Sequence, residues 1–429
     1  MRKHKGFTMV LLTFLFLGIF LSACMSDDSE NQHAEGKISI DIYQGKVEFR
    51  DQFIKLAEKY EEENPDVSIS VTAVGGGTDY FTSLRSRFSA GDEPEIFSVA
   101  GPSEAEDFKQ YLSDLSDTKA ASLALEGTLD GLMEGEQVYG LPFNQEGYGL
   151  IYNKKMFEEA GIDAEKILTY EDLEEAVQKL DSQKDELGIE EVFALPANEE
   201  WVISNHLANT FIAPEFNNSV MEAYESGTVP FEKSEELKRI LDLQNTYSIQ
   251  PTLSMDYSQQ VEQYFTLEKV AIIQQGNWIY PTVAQMDQTF AEDNLGILPI
   301  PVEGHEGKLP VGVPNYWVVN DNKDDEVVEA SKDFLNWMYT SEEGKEIVLN
   351  DLNFIPAYEG FDTSEIADPL SREIYEYSSK GYTIDWVFVG FPTPWTDSLG
   401  ANMQEYIDGG KTWEEVIEDS RREWEGMRQ

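Results

Sequence analysis

Four of the eight tryptophans lie in sequence contexts where an indole ring can face a bound molecule. Trp278 follows an apolar run in QQGNWIY, and Trp395 lies just after two prolines in GFPTPWTDS. Trp201 in ANEEWVISNH and Trp386 in TIDWVF are weaker candidates. An exposed indole can stack on a flat apolar surface, although packing in a core is the alternative for each ring.

A second set of candidates consists of polar side chains that follow predicted strands or lie between two predicted folding units. In open α/β sheets, ligands bind beyond the carboxyl ends of the strands. The set is Gln44 after the first strand, Asp79 and Tyr80 after a triple glycine, Asn144, Gln145 and Glu146 at a first crossing, and Asn315 and Tyr316 at a second. A solvated loop position is the alternative for each.

The sequence carries no recognised catalytic or metal-binding motif. The segment GGGTDY lacks the lysine and hydroxyl of a phosphate-binding loop, and the four histidines lack the spacing of metal ligands. Neither a G-x-S-x-G elbow nor an H-E-x-x-H helix is present. Carboxylate pairs carry little information in a chain with 82 acidic residues. The residues therefore indicate no catalytic chemistry, metal or cofactor, and we do not expect an enzyme.

The elements that would position these residues alternate between strands and helices. KISIDIY predicts a strand, residues 47–63 a helix, and residues 67–74 a second strand. Further along, Thr169 with Asp172 forms a capping box that begins another helix. Strands separated by helices predict mostly parallel sheets with flanking helices. At 429 residues the chain exceeds one hydrophobic core, so two lobes are expected.

The charge and the N-terminal segment indicate where the protein acts. With 82 acidic against 31 basic residues, the net charge of −51 excludes nucleic acid as a partner. Arg2, Lys3 and Lys5 precede an apolar run, which predicts a signal peptide over residues 1–23. Small residues precede Cys24, the only cysteine, and LSAC resembles a bacterial lipobox. We expect lipid attachment at Cys24, a flexible tether over residues 24–36, and a location on the outer face of the membrane.

Several segments in a fixed order resemble family 1 extracellular solute-binding proteins, the group of maltodextrin and multiple-sugar binding proteins. The strongest is GLPFNQEGYGLIYNKKMFEEAGID, followed by TYEDLEEAVQKL, KVAIIQQGNW, LGILPIPV and VGVPNYWVVN. Glu93 and Glu95 depart from the family pattern, and we assign them to an acidic surface. The resemblance implies a two-lobed, type II periplasmic-binding-protein-like α/β fold with a hinge. It also implies that Trp278 and Trp395 correspond to stacking residues of the cleft.

The resemblance further implies a monomer that binds an oligosaccharide between its lobes and delivers it to the permease of an ABC transporter. The QQGNW and VGVPNYWVVN segments weakly favour an α-linked sugar. We predict an N-terminal lobe of residues 37–145 and 311–358, a C-terminal lobe of residues 146–310 and 359–429, and crossings near 143–147, 310–315 and 357–362. Alternatives are binding of polyamine, glycerol phosphate or iron, a secreted carbohydrate-active enzyme, and a sensor or adhesion lipoprotein.

Overall fold

The computed structural model describes residues 36–74 and 80–429. The predicted signal peptide, Cys24, the tether up to residue 35, and the candidate Asp79 lie outside these residues. Among the described residues, no helix combines the length and apolar character needed to cross a membrane.

Thirteen strands are present in this part of the chain. They are β1 Ile38–Gln44, β2 Val67–Ala73, β3 Ile96–Val99, β4 Met133–Glu134, β5 Gln137–Val138, β6 Leu141–Pro142, β7 Glu146–Asn153, β8 Glu191–Phe193, β9 Val270–Gly276, β10 Leu295–Leu298, β11 Leu309–Gly312, β12 Tyr316–Val319 and β13 Thr383–Ile384.

The α-helices flank the sheets that these strands form. They are α1 Arg50–Glu63, α2 Tyr80–Ala90, α3 Pro102–Ala105, α4 Lys119–Leu123, α5 Lys154–Glu159, α6 Tyr170–Ser182, α7 Lys184–Leu187, α8 Asn209–Ile212, α9 Val220–Glu225, α10 Ser234–Thr246, α11 Tyr280–Met286, α12 Gln288–Asp293, α13 Asp325–Thr340, α14 Glu342–Asn350, α15 Pro369–Ser379, α16 Trp395–Ile407 and α17 Trp413–Met427.

The N-terminal lobe is built on a sheet with the strand order β2-β1-β3-β12-β6. β1 pairs in parallel with β2 and β3, as the βαβ pattern predicts, while β12 runs antiparallel to β3. Phe53 and Trp317 pack edge to face in the core beneath the sheet. The assignment of Glu95 to the acidic surface was wrong, because its carboxylate accepts the Asp41 amide and pairs with Lys323.

The C-terminal lobe is built on a second sheet with the order β13-β11-β7-β9-β8, and β10 also pairs with β7. β9 is buried along its whole length, which explains the uninterrupted apolar run that begins it. Its two glutamines are buried as pairs, Gln274 with Gln244 and Gln275 with Gln260. Each buried amide thereby keeps a hydrogen-bonding partner.

The two-lobed α/β fold is confirmed, but the sheets are mixed and not mostly parallel. β7 pairs antiparallel with β9, β10 and β11. In each sheet, one strand begins where the chain arrives from the other lobe. The chain crosses from β6 to β7 and returns from β11 to β12. Such strands return across the junction and pair antiparallel. The lobe boundaries stated above remain predictions.

Candidate functional site

Six rings from four segments form an aromatic cluster on the C-terminal lobe. We define the aromatic cluster as Tyr148, Trp201, His206, Trp278, Trp386 and Phe388. The His206 ring stacks on Tyr148 with centroids 4.3 Å apart and lies 5.1 Å from both Trp201 and Trp278. The Trp386 ring lies 5.5 Å from Tyr148 and 5.4 Å from Phe388. Three predicted tryptophans are thus brought together.

Two glycines let these indoles lie against the strands at the lobe junction. A Cβ atom on Gly276 would lie 2.2 Å from the Trp278 ring, and one on Gly312 would lie 2.4 Å from Cγ of Trp386. Gly312 pairs with Glu146, the first residue of β7. The indole Nε1 of Trp278 donates to Oε1 of Gln275 at 2.9 Å. These contacts place the aromatic cluster beside the crossing at residue 146.

Polar groups of the N-terminal lobe meet the same crossing. Lys46, in the loop after β1, forms an ion pair with Glu146. Asn144 donates to the Glu146 carboxylate at 3.3 Å, and its Oδ1 is buried without a partner in the described structure. The Gln44 side chain is buried and bonds both to the amide and to the carbonyl of Lys46. Gln44 therefore shapes the loop that presents Lys46 to the crossing.

His206 stays neutral within the aromatic cluster. Burial lowers the pKa of His206 to about 3, so its imidazole offers one donor and one acceptor at any ordinary pH. Neither ring nitrogen of His206 forms a hydrogen bond with a described residue, and neither is completely shielded from solvent. A neutral hydrogen-bonding group thus remains available inside a ring of aromatic surfaces.

Asp385 precedes Trp386 and adds a carboxylate without a hydrogen-bonding partner in the described part of the chain. Burial, followed by the negative charge of Asp130, raises the pKa of Asp385 to about 6. Its backbone carbonyl accepts a hydrogen bond from Asn209, which fixes the segment on the C-terminal lobe. A carboxylate in this position can accept hydrogen bonds from the hydroxyl groups of a ligand.

Trp395 lies in a core and not on the junction. Its ring is fully buried, packs 4.7 Å from the Trp424 ring and donates from Nε1 to the Ser420 carbonyl. The preceding prolines belong to the entry of α16, so Trp395 is the first helical residue and not a loop residue. The expectation that it stacks on a ligand was wrong for this conformation.

The remaining candidates occupy supporting positions. Tyr80 donates to the Ser98 carbonyl at 2.9 Å and stacks on Tyr43, and Tyr316 is buried in the N-terminal lobe. Gln145 joins the Pro356 carbonyl and the Ser378 hydroxyl, which ties two lobe crossings together. The carbonyl of Asn315 accepts the Phe143 amide. These contacts organise the crossings, and a ligand contact by these four residues remains a prediction.

The sequence analysis missed His206, Tyr148, Phe388 and Asp385. His206 was set aside because it lacks the spacing of a metal ligand, and nothing in its local pattern indicates that a π-helix, Val202–Ala208, carries it. Asp385 had a usable signal, since it directly precedes a candidate tryptophan and follows two β-branched residues, Thr383 and Ile384.

Comparisons with known proteins identify a family and several relatives. Residues 46–345 match the family described as bacterial extracellular solute-binding protein. The melibiose/raffinose/stachyose-binding protein MelE of Bacillus subtilis is 25% identical over 346 residues, covering 78% of this chain and 77% of that protein. The multiple sugar-binding protein of Streptococcus mutans is 22% identical over 346 residues, covering 75% of this chain and 76% of that protein.

Solved structures show the same fold at low sequence identity. A chitin oligosaccharide binding protein superposes with a TM-score of 0.75 and 21% identity, covering 91% of this chain and 99% of that one. The apo form of RafE from Streptococcus pneumoniae gives 0.74 and 18%, covering 93% of this chain and 100% of that one.

Proposed function

Because this chain belongs to the bacterial extracellular solute-binding proteins, we propose that it captures an oligosaccharide between its lobes for an ABC importer. The relatives named above bind melibiose, raffinose, stachyose or multiple sugars. These names favour an α-linked oligosaccharide. The proposed ligand contacts are the half-buried Trp201 and Trp278 on one lobe and Lys46, Asn144 and Glu146 at the crossing, with the buried Trp386 supporting Trp278.

The observation that carries the proposal is the aromatic cluster beside the polar crossing. Sugar rings have apolar C–H faces, which stack on indoles, and hydroxyl edges, which need donors and acceptors. Trp201 and Trp278, which are half-buried, supply the stacking surfaces, and the buried Trp386 packs against Trp278. His206 and Asp385 supply polar atoms without partners among the described residues. Lys46 is neutralised by Glu146, which disfavours an anionic ligand such as glycerol phosphate.

Isothermal titration calorimetry of the chain from residue 36 to residue 429 against melibiose, raffinose, stachyose and chitin oligosaccharides tests the proposal. We expect binding to at least one of these sugars and a loss of about 30-fold in the Trp278→Ala variant, equivalent to about 2 kcal/mol for a well-packed contact. Trp337→Ala is the matched control, since Trp337 lies on α13 and donates to Glu63. Absence of binding to every sugar would overturn the carbohydrate assignment.

A cationic ligand is the second candidate, because aromatic rings beside a carboxylate also favour polyamines. Asp385 is the carboxylate that would pair with such a ligand. Its pKa of about 6 leaves it partly protonated in mildly acidic medium, so polyamine binding would strengthen from pH 5 to pH 7. Calorimetry with spermidine distinguishes the two, since a neutral sugar gains no ion pair over that range.

The membrane attachment proposed at Cys24 has its own test. A Cys24→Ser variant expressed in a Gram-positive host should lose incorporation of an alkyne-labelled fatty acid and appear in the culture medium. Retention on the membrane with unchanged labelling would remove the lipid anchor from the proposal without affecting the sugar site.

A further inference from the structure

The indole N–H groups of the two half-buried tryptophans in the aromatic cluster are each held by a protein acceptor. Trp278 donates from Nε1 to Oε1 of Gln275 at 2.9 Å. Trp201 donates from Nε1 to Oε2 of Glu199 at 3.1 Å, and Oε1 of Glu199 accepts the Tyr257 amide at 3.1 Å. Because an indole has no other polar hydrogen, both rings can offer a ligand only their apolar surface.

A chain of buried amides continues behind Trp278. Gln275 donates from Nε2 to Oε1 of Gln260 at 2.7 Å, and Gln260 donates from Nε2 to the Ala194 carbonyl at 2.7 Å. The Gln260 side chain is fully buried, so it touches neither solvent nor a bound molecule. We define the amide relay as Gln275, Gln260 and the Ala194 carbonyl.

The two ends of the amide relay fix the direction of each amide within it. A backbone carbonyl can only accept, so the NH2 group of Gln260 points to Ala194 and its oxygen points to Gln275. The Gln275 amide is then turned so that its oxygen faces the indole N–H of Trp278, which can only donate. A reversed Gln275 amide would leave that indole without an acceptor. The orientation of the Trp278 ring therefore depends on Gln260, two hydrogen bonds away.

The anchors of both indoles lead to one short segment. Gln260 lies in the π-helix Gln259–Phe265, and Tyr257, whose amide holds the acceptor of Trp201, lies two residues before that helix. The Trp201 and Trp278 rings lie 6.3 Å apart with an interplanar angle of 64°. The relative orientation of the two stacking surfaces is thus tied to a segment that lies behind them.

We propose that Gln260 is a positioning residue for ligand capture, which holds the Trp278 indole through Gln275 in the orientation that presents its face to the ligand. The inference rests on the proposed sugar-binding function and adds to it a residue that no ligand touches. A ring that is held in place before binding loses less conformational freedom when a sugar stacks on it. Without the amide relay, ordering the ring would weaken the net affinity.

A double-mutant cycle with titration calorimetry against melibiose, raffinose, stachyose and chitin oligosaccharides tests the inference. Gln260→Met keeps the size of the side chain and removes both of its hydrogen bonds, and we expect it to weaken sugar binding about fivefold. In a Trp278→Phe background the same substitution should change affinity by less than about twofold, because phenylalanine has no N–H to orient. Equal losses in both backgrounds would overturn the positioning role, since a distorted lobe weakens binding whichever ring is present.

The indole N–H resonance of Trp278 gives a readout that a general loss of stability does not move. In nitrogen–proton correlation spectra, where Trp278→Phe assigns it, the resonance should shift and exchange faster with solvent in Gln260→Met without sugar. Asn320→Leu is the matched control, since it replaces another fully buried amide, which donates to the Pro94 carbonyl in the N-terminal lobe. It should lower stability and leave both the resonance and the affinity unchanged. An unmoved Trp278 resonance in Gln260→Met would overturn the amide relay.

Gln275→Met provides a second variant, because it removes the acceptor of the indole directly. It should give the same loss of affinity and the same displaced resonance, and it carries both tests if Gln260→Met does not fold. Sugar binding that both variants leave within about twofold would overturn the positioning role and leave the sugar site standing. Absence of binding to every sugar would overturn the proposed function and the inference together. A loss confined to the tryptophan background would support the inference.

Discussion

At the residue scale, Trp278 and Trp395 differ in their hydrogen-bonding partners, which the local sequence does not reveal. Both follow a short apolar or proline-rich segment, and both were expected to stack on a ligand. Trp278 donates to a side chain of the preceding strand, β9, and stays half-buried, while Trp395 donates to a backbone carbonyl of α17. Which ring reaches the junction depends on distant helices, so local pattern could not distinguish them.

Replacing Trp395 by Ala should therefore lower stability and not ligand affinity. A fully buried tryptophan leaves a large cavity when truncated, and we expect a cost of about 3 to 5 kcal/mol in the free energy of unfolding. Chemical denaturation measures that cost, and calorimetry on the folded fraction should give an affinity within twofold of the unmodified protein. A loss of affinity at unchanged stability would show instead that Trp395 contacts the ligand.

Glu215 should make stability depend on pH. Burial raises the pKa of Glu215 to about 7, and its Oε2 atom is buried without a partner in the described structure. The folded state then binds a proton that the unfolded state has released, so stability falls as pH rises from about 4.5 through 7. Asp368 and Asp385, whose pKa values burial raises to about 6, act in the same direction.

Glu215→Gln removes the ionisation and should stabilise the protein at pH 8 by about 1 to 2 kcal/mol, after allowance for partial solvent screening. The gain should shrink as pH falls toward 4.5 and below, because the unmodified side chain then becomes protonated in the unfolded state as well. Urea titrations at pH 5 and pH 8 measure it. Glu418→Gln, at an exposed position of α17, changes the charge equally and should show no such gain.

At the element scale, periodicity predicted most of what is found. The first strand, α1 and β2 occur within a few residues of their predicted bounds, and α6 begins at its predicted cap. The predicted capping box of Thr169 and Asp172 is confirmed in both directions. Strand direction was less predictable, because the alternation of apolar and polar residues indicates where a strand lies and not which lobe it enters. The antiparallel pairing of β7 follows from a lobe crossing that no local pattern records.

Removing this cap gives a prediction confined to one helix. Thr169 accepts the Asp172 amide and thereby satisfies a backbone donor that α6 cannot pair internally. Thr169→Ala should cost about 1 kcal/mol in the free energy of unfolding, measured by urea denaturation. Ser89→Ala on α2 removes a hydroxyl that bonds only back to the Arg85 carbonyl of its own helix, and it should be nearly neutral. Equal effects would argue against the cap.

At the scale of the whole molecule, the lobes contact each other beyond the crossing segments. The Ser103 hydroxyl donates to the Phe391 carbonyl at 2.8 Å, and α3 packs on the segment Val387–Gly390. Length and composition predicted two lobes, but contacts between distant surfaces leave no periodic signal. Phe388 of the aromatic cluster belongs to the segment Val387–Gly390. Binding between the lobes therefore depends on how closely they can approach.

The substitution Gly101→Ala tests that dependence by adding a single methyl group. Its backbone is extended, with φ of 175°, so alanine is tolerated locally. A Cβ atom there would lie 2.9 Å from both the Cβ and the carbonyl oxygen of Val389 on the other lobe, closer than packed atoms allow. Gly101→Ala should hold the lobes apart. We expect at least a tenfold loss of sugar affinity, because contacts made only in the closed state supply the ligand's preference for it.

Small-angle scattering with saturating sugar should give a larger radius of gyration for Gly101→Ala than for the unmodified protein, while thermal unfolding without ligand stays unchanged. Gly227→Ala is the matched control, since no atom lies within 4 Å of its Cβ position and its backbone imposes no positive φ. If Gly101→Ala keeps full affinity and the same radius, the approach of α3 to Val389 has no part in ligand capture. Closure would then have to depend on the crossing at Glu146 alone.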